Sequence, residues 1–250
     1  MTAPTNTKGA RAGRTLRRLA VTTTAGIALT LIPVAGTAGA ETYTDPNDRC
    51  LPESAAPQAP VSDYARISDV HKQSVDCSFA EGYSTGFPDG TFRPADMTTR
   101  GQMATFIVGA LRAAGYTLPA AQAQPFTDIA GNTHEANIRI LATIGVTKGK
   151  TPTTYAPNDL VRRDQMASFM VQAAEYAYED TEFLVGDEPV PAFPDVLPNN
   201  VHYDNVNSGA RVLGLVDGKS SGLFDPGMFT NREQMATFLV RLVDLTLLVQ

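Results

Sequence analysis

The chain has 250 residues, with 20 lysines and arginines against 26 aspartates and glutamates, a net charge of −6 at pH 7. Residues 1–40 hold five of the cations and no acid, which leaves −11 over residues 41–250, and an acidic body excludes broad nucleic-acid binding, which needs a basic face to displace phosphate counterions. Two cysteines, three histidines and no tryptophan exclude a disulfide scaffold and a Cys-based structural zinc site, and leave little material for His-based catalysis.

The first element in the chain is an expected export signal over residues 1–40. Lys8, Arg11, Arg14, Arg17 and Arg18 form a positive leader, and the uncharged stretch Leu19–Val34 follows. Ala38-Gly39-Ala40 is an A-x-A pattern that signal peptidase pockets for small side chains accept, so cleavage is expected after Ala40. Arg17-Arg18 suits either a general-secretion or a twin-arginine route. A retained anchor helix is disfavoured by Thr22, Thr23, Thr24, Gly26 and Pro33, and no later apolar run approaches the roughly 20 residues of a membrane span. Residues 41–66, with four prolines after Asp45, are expected to form an N-terminal tether. Outside the cytoplasm a Cys50–Cys77 disulfide is permitted, and these two residues are the disulfide candidate.

Beyond residue 66 the chain repeats itself. Three heptads align, Arg100-Gly-Gln-Met-Ala-Thr-Phe106, Arg163-Asp-Gln-Met-Ala-Ser-Phe169 and Arg232-Glu-Gln-Met-Ala-Thr-Phe238. Fixed offsets upstream of them stand prolines (Pro94, Pro157, Pro226), aromatics (Phe92, Tyr155, Phe224) and two sets of glycines (Gly86, Gly149, Gly218 and Gly82, Gly145, Gly214). Further upstream the alignment sets Ile67-Ser-Asp69-Val70 beside Phe126-Thr-Asp128-Ile129 and Phe193-Pro-Asp195-Val196. The expected repeats are residues 67–115, 126–178 and 193–245, with an acidic linker at 179–192. Each reads as helix, tight loop, short extended piece, helix. Met235, Phe238, Leu239, Leu242 and Val243 put the second helix's apolar side chains on one face. Thr99-x-x-Gln102 and Asn231-x-x-Gln234 are capping boxes, whereas Arg162 cannot accept the cap bond and predicts a weaker start in the second repeat. Repeats of this length bury little alone. The three apolar faces are therefore expected to share one core in a mainly α fold, a pseudo-threefold spindle.

The repeat resembles the S-layer homology (SLH) family, most closely through Gly86-Phe-Pro-Asp-Gly-Thr-Phe-Arg-Pro94 followed by Met97-Thr-Thr-Arg100. The resemblance covers about residues 67–245. It implies non-covalent attachment to a pyruvate-modified secondary polymer of the Gram-positive cell wall, held in grooves between adjacent repeats. The motif arginine contributes to the groove in that family, a role that falls on Arg100, on Arg163 and on Arg232. Gln102, Gln165 and Gln234 replace the glutamate common in the family, and the tryptophan many members carry early in the first helix is missing.

The residues leave a second reading for each arginine, a structural tie to a carbonyl or carboxylate of the next repeat. A cation at a helix N-terminus opposes the helix dipole and needs compensation, which an anion held by the arginine and the free helix N–H groups would also supply. His71, His134 and His202 occupy equivalent places and read as repeat structure, not as a metal site. Asp89-Gly90 reads as a turn, and Lys148 and Lys150, which flank Gly149, as an exposed loop pair, with a place in a groove as the alternative. No HExxH or P-loop is present. The expected function is that of an exported, non-catalytic protein, without cofactor, that binds an anionic cell-wall polysaccharide at the cell wall or surface of a Gram-positive bacterium. The alternative is a secreted interaction module that tethers another surface protein.

Overall fold

The computed structural model describes residues 56–178, 191–211 and 213–247. The expected signal peptide, most of the tether and residues 179–190 of the expected linker lie outside them. Six α-helices carry the fold: α1 (Asp69–Ala80), α2 (Arg100–Ala113), α3 (Glu135–Thr143), α4 (Arg163–Ala177), α5 (Tyr203–Arg211) and α6 (Arg232–Leu247). No regular strand occurs among the described residues, only isolated bridges, so the fold is mainly α. None of these helices is long and apolar enough to cross a membrane.

The long helices α2, α4 and α6 are the second helices of the three repeats, and they pack pairwise. Met103, Met166 and Met235, together with Ile107, Met170 and Leu239, interlock at full burial in one shared core. The heptad spacing dictates this, since residues three and four apart share a helix face. The first helix of a repeat does not pack on the second helix of the same repeat. α3 packs on α2, α5 on α4, and α1 on α6. Each repeat thus lends its first helix to its predecessor, and the C-terminal helix closes the ring on the N-terminal one.

The extended pieces before α2, α4 and α6 meet in a closed triangle of backbone hydrogen bonds. Thr98 N–H donates to the Thr230 carbonyl (2.9 Å), Thr230 N–H to Val161 (3.0 Å), and Val161 N–H to Thr98 (3.0 Å). Each repeat satisfies the backbone of another, so no extended piece leaves a buried edge unpaired.

The first repeat begins earlier than its sequence alignment suggests. Asp128 accepts from the N–H groups of Tyr155 and Ala156, and Asp195 from those of Phe224 and Asp225. The residue doing this in the first repeat is Asp63, which accepts from Phe92 and Arg93, both at 2.7 Å. Asp69 instead opens α1 and pairs with Lys72. The true counterpart of Phe126-Thr-Asp128-Ile129 is therefore Val61-Ser62-Asp63-Tyr64. Glycine spacing agrees. A Cβ on Gly149 would meet Phe126 and one on Gly218 would meet Phe193, each at 2.5 Å, while one on Gly86 would have Val61 at 3.6 Å, behind the Thr91 carbonyl and Phe79. The last residues of the expected tether are consequently folded: Ala59 is buried, and its N–H donates to Asp76 at 2.7 Å.

The carboxylate has a second task. The residue between the aromatic and the proline sits in the left-handed region, at φ 57° for Arg93, 59° for Ala156 and 55° for Asp225. That conformation costs roughly 1–2 kcal/mol for an L-residue, and the two short bonds to Asp63, Asp128 or Asp195 hold it. At Asp128 burial pushes the carboxyl up, but the N–H groups of Tyr155 and Ala156 and the Arg100 charge outweigh it and hold the group below the ordinary carboxylate range. Cys77 is buried and disulfide-bonded. Cys50 is the chain's only other cysteine and lies outside the described residues.

Candidate functional site

All three motif arginines sit at the seams between repeats, each against the repeat that follows. Arg100 Nε donates to the Tyr155 carbonyl (2.8 Å), Arg163 Nε to Phe224 (2.7 Å) and Arg232 Nε to Phe92 (2.7 Å). Each guanidinium also lies over the ring of that aromatic, at 4.7, 4.7 and 4.9 Å from the centroid, and near the heptad phenylalanine of the same repeat, Phe169, Phe238 or Phe106. Burial pushes Arg163 down and Arg232 down to about 10, so both remain charged at neutral pH. The cation–π contacts and the carbonyl repay part of that desolvation.

The helix N-termini are not open to an anion. In α2 the N–H groups of Arg100 and Gly101 donate to the carbonyls of Asp159 and Pro157. In α4 those of Arg163 and Asp164 reach Met228 and Pro226, and in α6 those of Arg232 and Glu233 reach Asp96 and Pro94. The third N–H of each helix is capped by Thr99, Asp164 or Asn231. The sequence expectation of free N–H groups beside each arginine is thereby overturned: the next repeat's carbonyls supply the compensation for the dipole. In α4 Asp164 takes over the cap that Arg162 cannot provide, while Arg162 N–H still bonds Gln165.

The histidines tie the same seams. His71 Nδ1 bonds Thr237 (2.8 Å), His134 Nδ1 bonds Thr105 (2.8 Å) and His202 Nδ1 bonds Ser168 (2.7 Å), each a hydroxyl on the second helix of the preceding repeat, with α6 preceding α1 around the ring. Burial lowers the pKa of all three. No cluster of potential metal ligands occurs among the described residues.

One groove of about 360 Å³ opens where the three repeats meet around α4. Arg100 of the first repeat forms its floor with Phe169. Lys148 comes from the loop of the second repeat, Gln165, Ser168 and Gln172 from α4, and Asn205 from α5 of the third. Arg100 is 7 % exposed, and the only hydrogen bond of its guanidinium among the described residues is the one from Nε. The terminal nitrogens of a nearly buried guanidinium are thus left for whatever enters. Lys148 is exposed and has no ion pair among the described residues, whereas Lys150 is bonded to Asp159. The groove combines a buried cation, an exposed one and amides that both donate and accept. Such a lining suits an acidic, hydroxyl-rich ligand. Of the three arginines singled out in the sequence, the structure brings only Arg100 to this groove. Gln172 and Asn205 carry no signal by themselves in the sequence, whereas Lys148 stands out there only through its place beside Gly149, as a loop residue with a groove as the alternative.

The S-layer homology domain model matches residues 79–104 and 125–167, so the chain carries S-layer homology sequence over these two segments. The matched segments hold the start of α2, all of α3, the loop of the second repeat and the start of α4, and they include Arg100 and Lys148. Residues of the chain are 30% identical over 177 positions to an endoglucanase of Bacillus sp. (strain KSM-635), covering 71% of this chain and 17% of that protein. They are 27% identical over 175 positions to cell surface glycoprotein 1 of Acetivibrio thermocellus, covering 65% of this chain and 7% of that protein. The chain spans less than a fifth of the length of these relatives. The domain marks a cell-surface or cell-wall-associated protein.

Proposed function

We propose that the chain is an exported, non-catalytic attachment protein that binds an anionic secondary polysaccharide of a Gram-positive cell wall. The observation that carries this reading is the groove around α4, where the nearly buried Arg100 and the exposed Lys148 face solvent beside Gln165, Gln172 and Asn205. Charge-assisted hydrogen bonds from the two cations hold the acidic group, and the amides take sugar hydroxyls. The body of the protein carries −11 over residues 41–250. Long-range attraction to a polyanion is therefore lacking, and binding depends on these local cations. The endoglucanase relative is matched over the S-layer homology region, a binding module, and that likeness supports attachment and not hydrolysis.

Co-sedimentation of the purified protein with protein-free cell-wall sacculi tests the reading. Binding is expected to intact sacculi and to disappear after chemical removal of the non-peptidoglycan polymer. Undiminished binding to stripped sacculi, or release of reducing sugar from intact ones, would overturn it.

A further inference from the structure

Position by position, the three seams offer the same backbone and different chemistry. The loop residue three beyond the helix-ending glycine is Thr85, Lys148 or Asp217. The residue seven beyond the capping glutamine on the second helix is Gly109, Gln172 or Arg241. In the second repeat these two positions line the groove, and the other two repeats carry their counterparts at the equivalent seams.

In the third repeat the pair closes on itself. Arg241 forms an ion pair with the Asp217 carboxylate, and the Asp217 carbonyl accepts from a terminal nitrogen of Arg163 at 2.9 Å. The cation is neutralised, and the motif arginine's spare donor is taken by the loop itself. Lys219, the other basic residue of that loop, is paired with Asp225. In the first repeat the groove is filled rather than paired. Phe87 stands in the place of Lys150, with its ring 4.5 Å from the Arg232 guanidinium and 4.0 Å from that of Arg93. Gly109 leaves its space to Tyr83, which is packed so closely that a Cβ there would meet the Tyr83 Cβ at 3.0 Å. Only the second repeat combines an unpaired loop cation, an amide on the helix and a motif arginine whose terminal nitrogens are not consumed.

We propose that the grooves are functionally unequal: the acidic saccharide enters only the groove of the second repeat, held by Arg100, Lys148 and Gln172, so that one chain carries one ligand site. The other two seams serve the fold. This inference rests on the wall-binding reading above and narrows it to a single site and three side chains. Lys148 and Gln172 recognise the ligand directly, and neither has a hydrogen-bond partner within the described protein to lose.

The test compares the exported chain with Lys148→Glu, Gln172→Ala, Arg241→Ala and Lys219→Glu variants in sedimentation with protein-free sacculi, with a thermal melt of each. Lys219→Glu makes the same charge change as Lys148→Glu, in the corresponding loop of the third repeat. The expected result is at least a tenfold loss of affinity for Lys148→Glu, a smaller loss for Gln172→Ala, and binding within twofold of the parent for Arg241→Ala and Lys219→Glu. Lys148→Glu is exposed and is expected to melt as the parent does. A parent that binds while Lys148→Glu binds equally well would overturn the inference and leave the wall-binding reading standing. Equal losses for Lys148→Glu and Lys219→Glu would overturn it as well, because binding would then follow net charge. A parent that does not bind sacculi at all would overturn both.

Discussion

Replacing Arg232 by alanine separates a structural arginine from a ligand-binding one. The substitution removes the Nε bond to the Phe92 carbonyl and three ring contacts, to Phe87, Phe92 and Phe106. A hydrogen bond from a charged group contributes about 1.5–3 kcal/mol, and desolvated cation–π contacts add roughly 1–2 kcal/mol. Relief from burying the guanidinium offsets part of this, leaving a net loss of about 2–3 kcal/mol at the seam where α6 meets the first repeat. For a folded body of this size each kcal/mol moves the midpoint by roughly 2–4 °C, so Tm is expected to fall by about 4–12 °C. Scanning calorimetry of Arg232→Ala, and of Arg232→Lys as the variant that keeps charge but loses the planar fork, reads this directly. Sacculus binding by the fraction that stays folded is expected to match the parent. A Tm within about 2 °C of the parent combined with loss of binding would refute the argument and return Arg232 to the ligand.

Further outcomes follow from the ring closure and the seams. A fragment of residues 41–180 lacks α5 and α6, so α1 loses the helix it packs on; it is expected to aggregate or melt without a cooperative transition, and a sharp calorimetric peak near that of the full chain would contradict the shared core. Burial lowers the folded-state pKa of His71, His134 and His202, so the unfolded chain takes up protons first as pH falls through about 6.5; stability present above that pH is lost below it, and a His134→Gln variant should show a shallower fall of Tm between pH 7.5 and 5. Reducing the disulfide at Cys77 should cost roughly 3–4 kcal/mol in the chain-entropy model, and thiol titration of the unfolded, unreduced protein should find no free thiol. Gly149→Ala places a Cβ 2.5 Å from Phe126 at φ +84° and is expected to lower Tm more than Gly90→Ala, which meets no atom within 4 Å.

Much of this architecture is legible in the sequence, because short-range chemistry writes it. Helix faces follow from the heptad period, helix starts from Thr99 and Asn231, and helix ends from Gly82, Gly145 and Gly214, all with positive φ. What the sequence conceals is pairing across the chain. A 3.6-residue period shows that a face is apolar without saying which helix covers it, so the packing of α1 on α6 is invisible until the ring closes. The start of the first repeat is misplaced for a related reason. Ile67-Ser-Asp69-Val70 imitates the motif one short step downstream, while the true copy has Val61 where the other repeats have phenylalanine, and only the bonds from Phe92 and Arg93 to Asp63 identify it. Recurrence singles out the three arginines. Recurrence cannot tell a tie to a neighbour's carbonyl from a contact to a ligand, since both must repeat with the repeat. The groove residues are concealed by the opposite property. Lys148 and Gln172 do not recur, and their meaning lies in their contrast with Asp217 and Arg241 at equivalent positions on two different elements.

Amide hydrogen exchange of the chain, measured with and without polymer released from sacculi, tests the central claim most directly. The account predicts new protection in the loop at 146–150, in α4 around Gln165–Gln172 and in α5 near Asn205, with the corresponding loops at 83–87 and 215–219 unchanged. Protection confined to those two loops, or spread equally over all three seams, would contradict it.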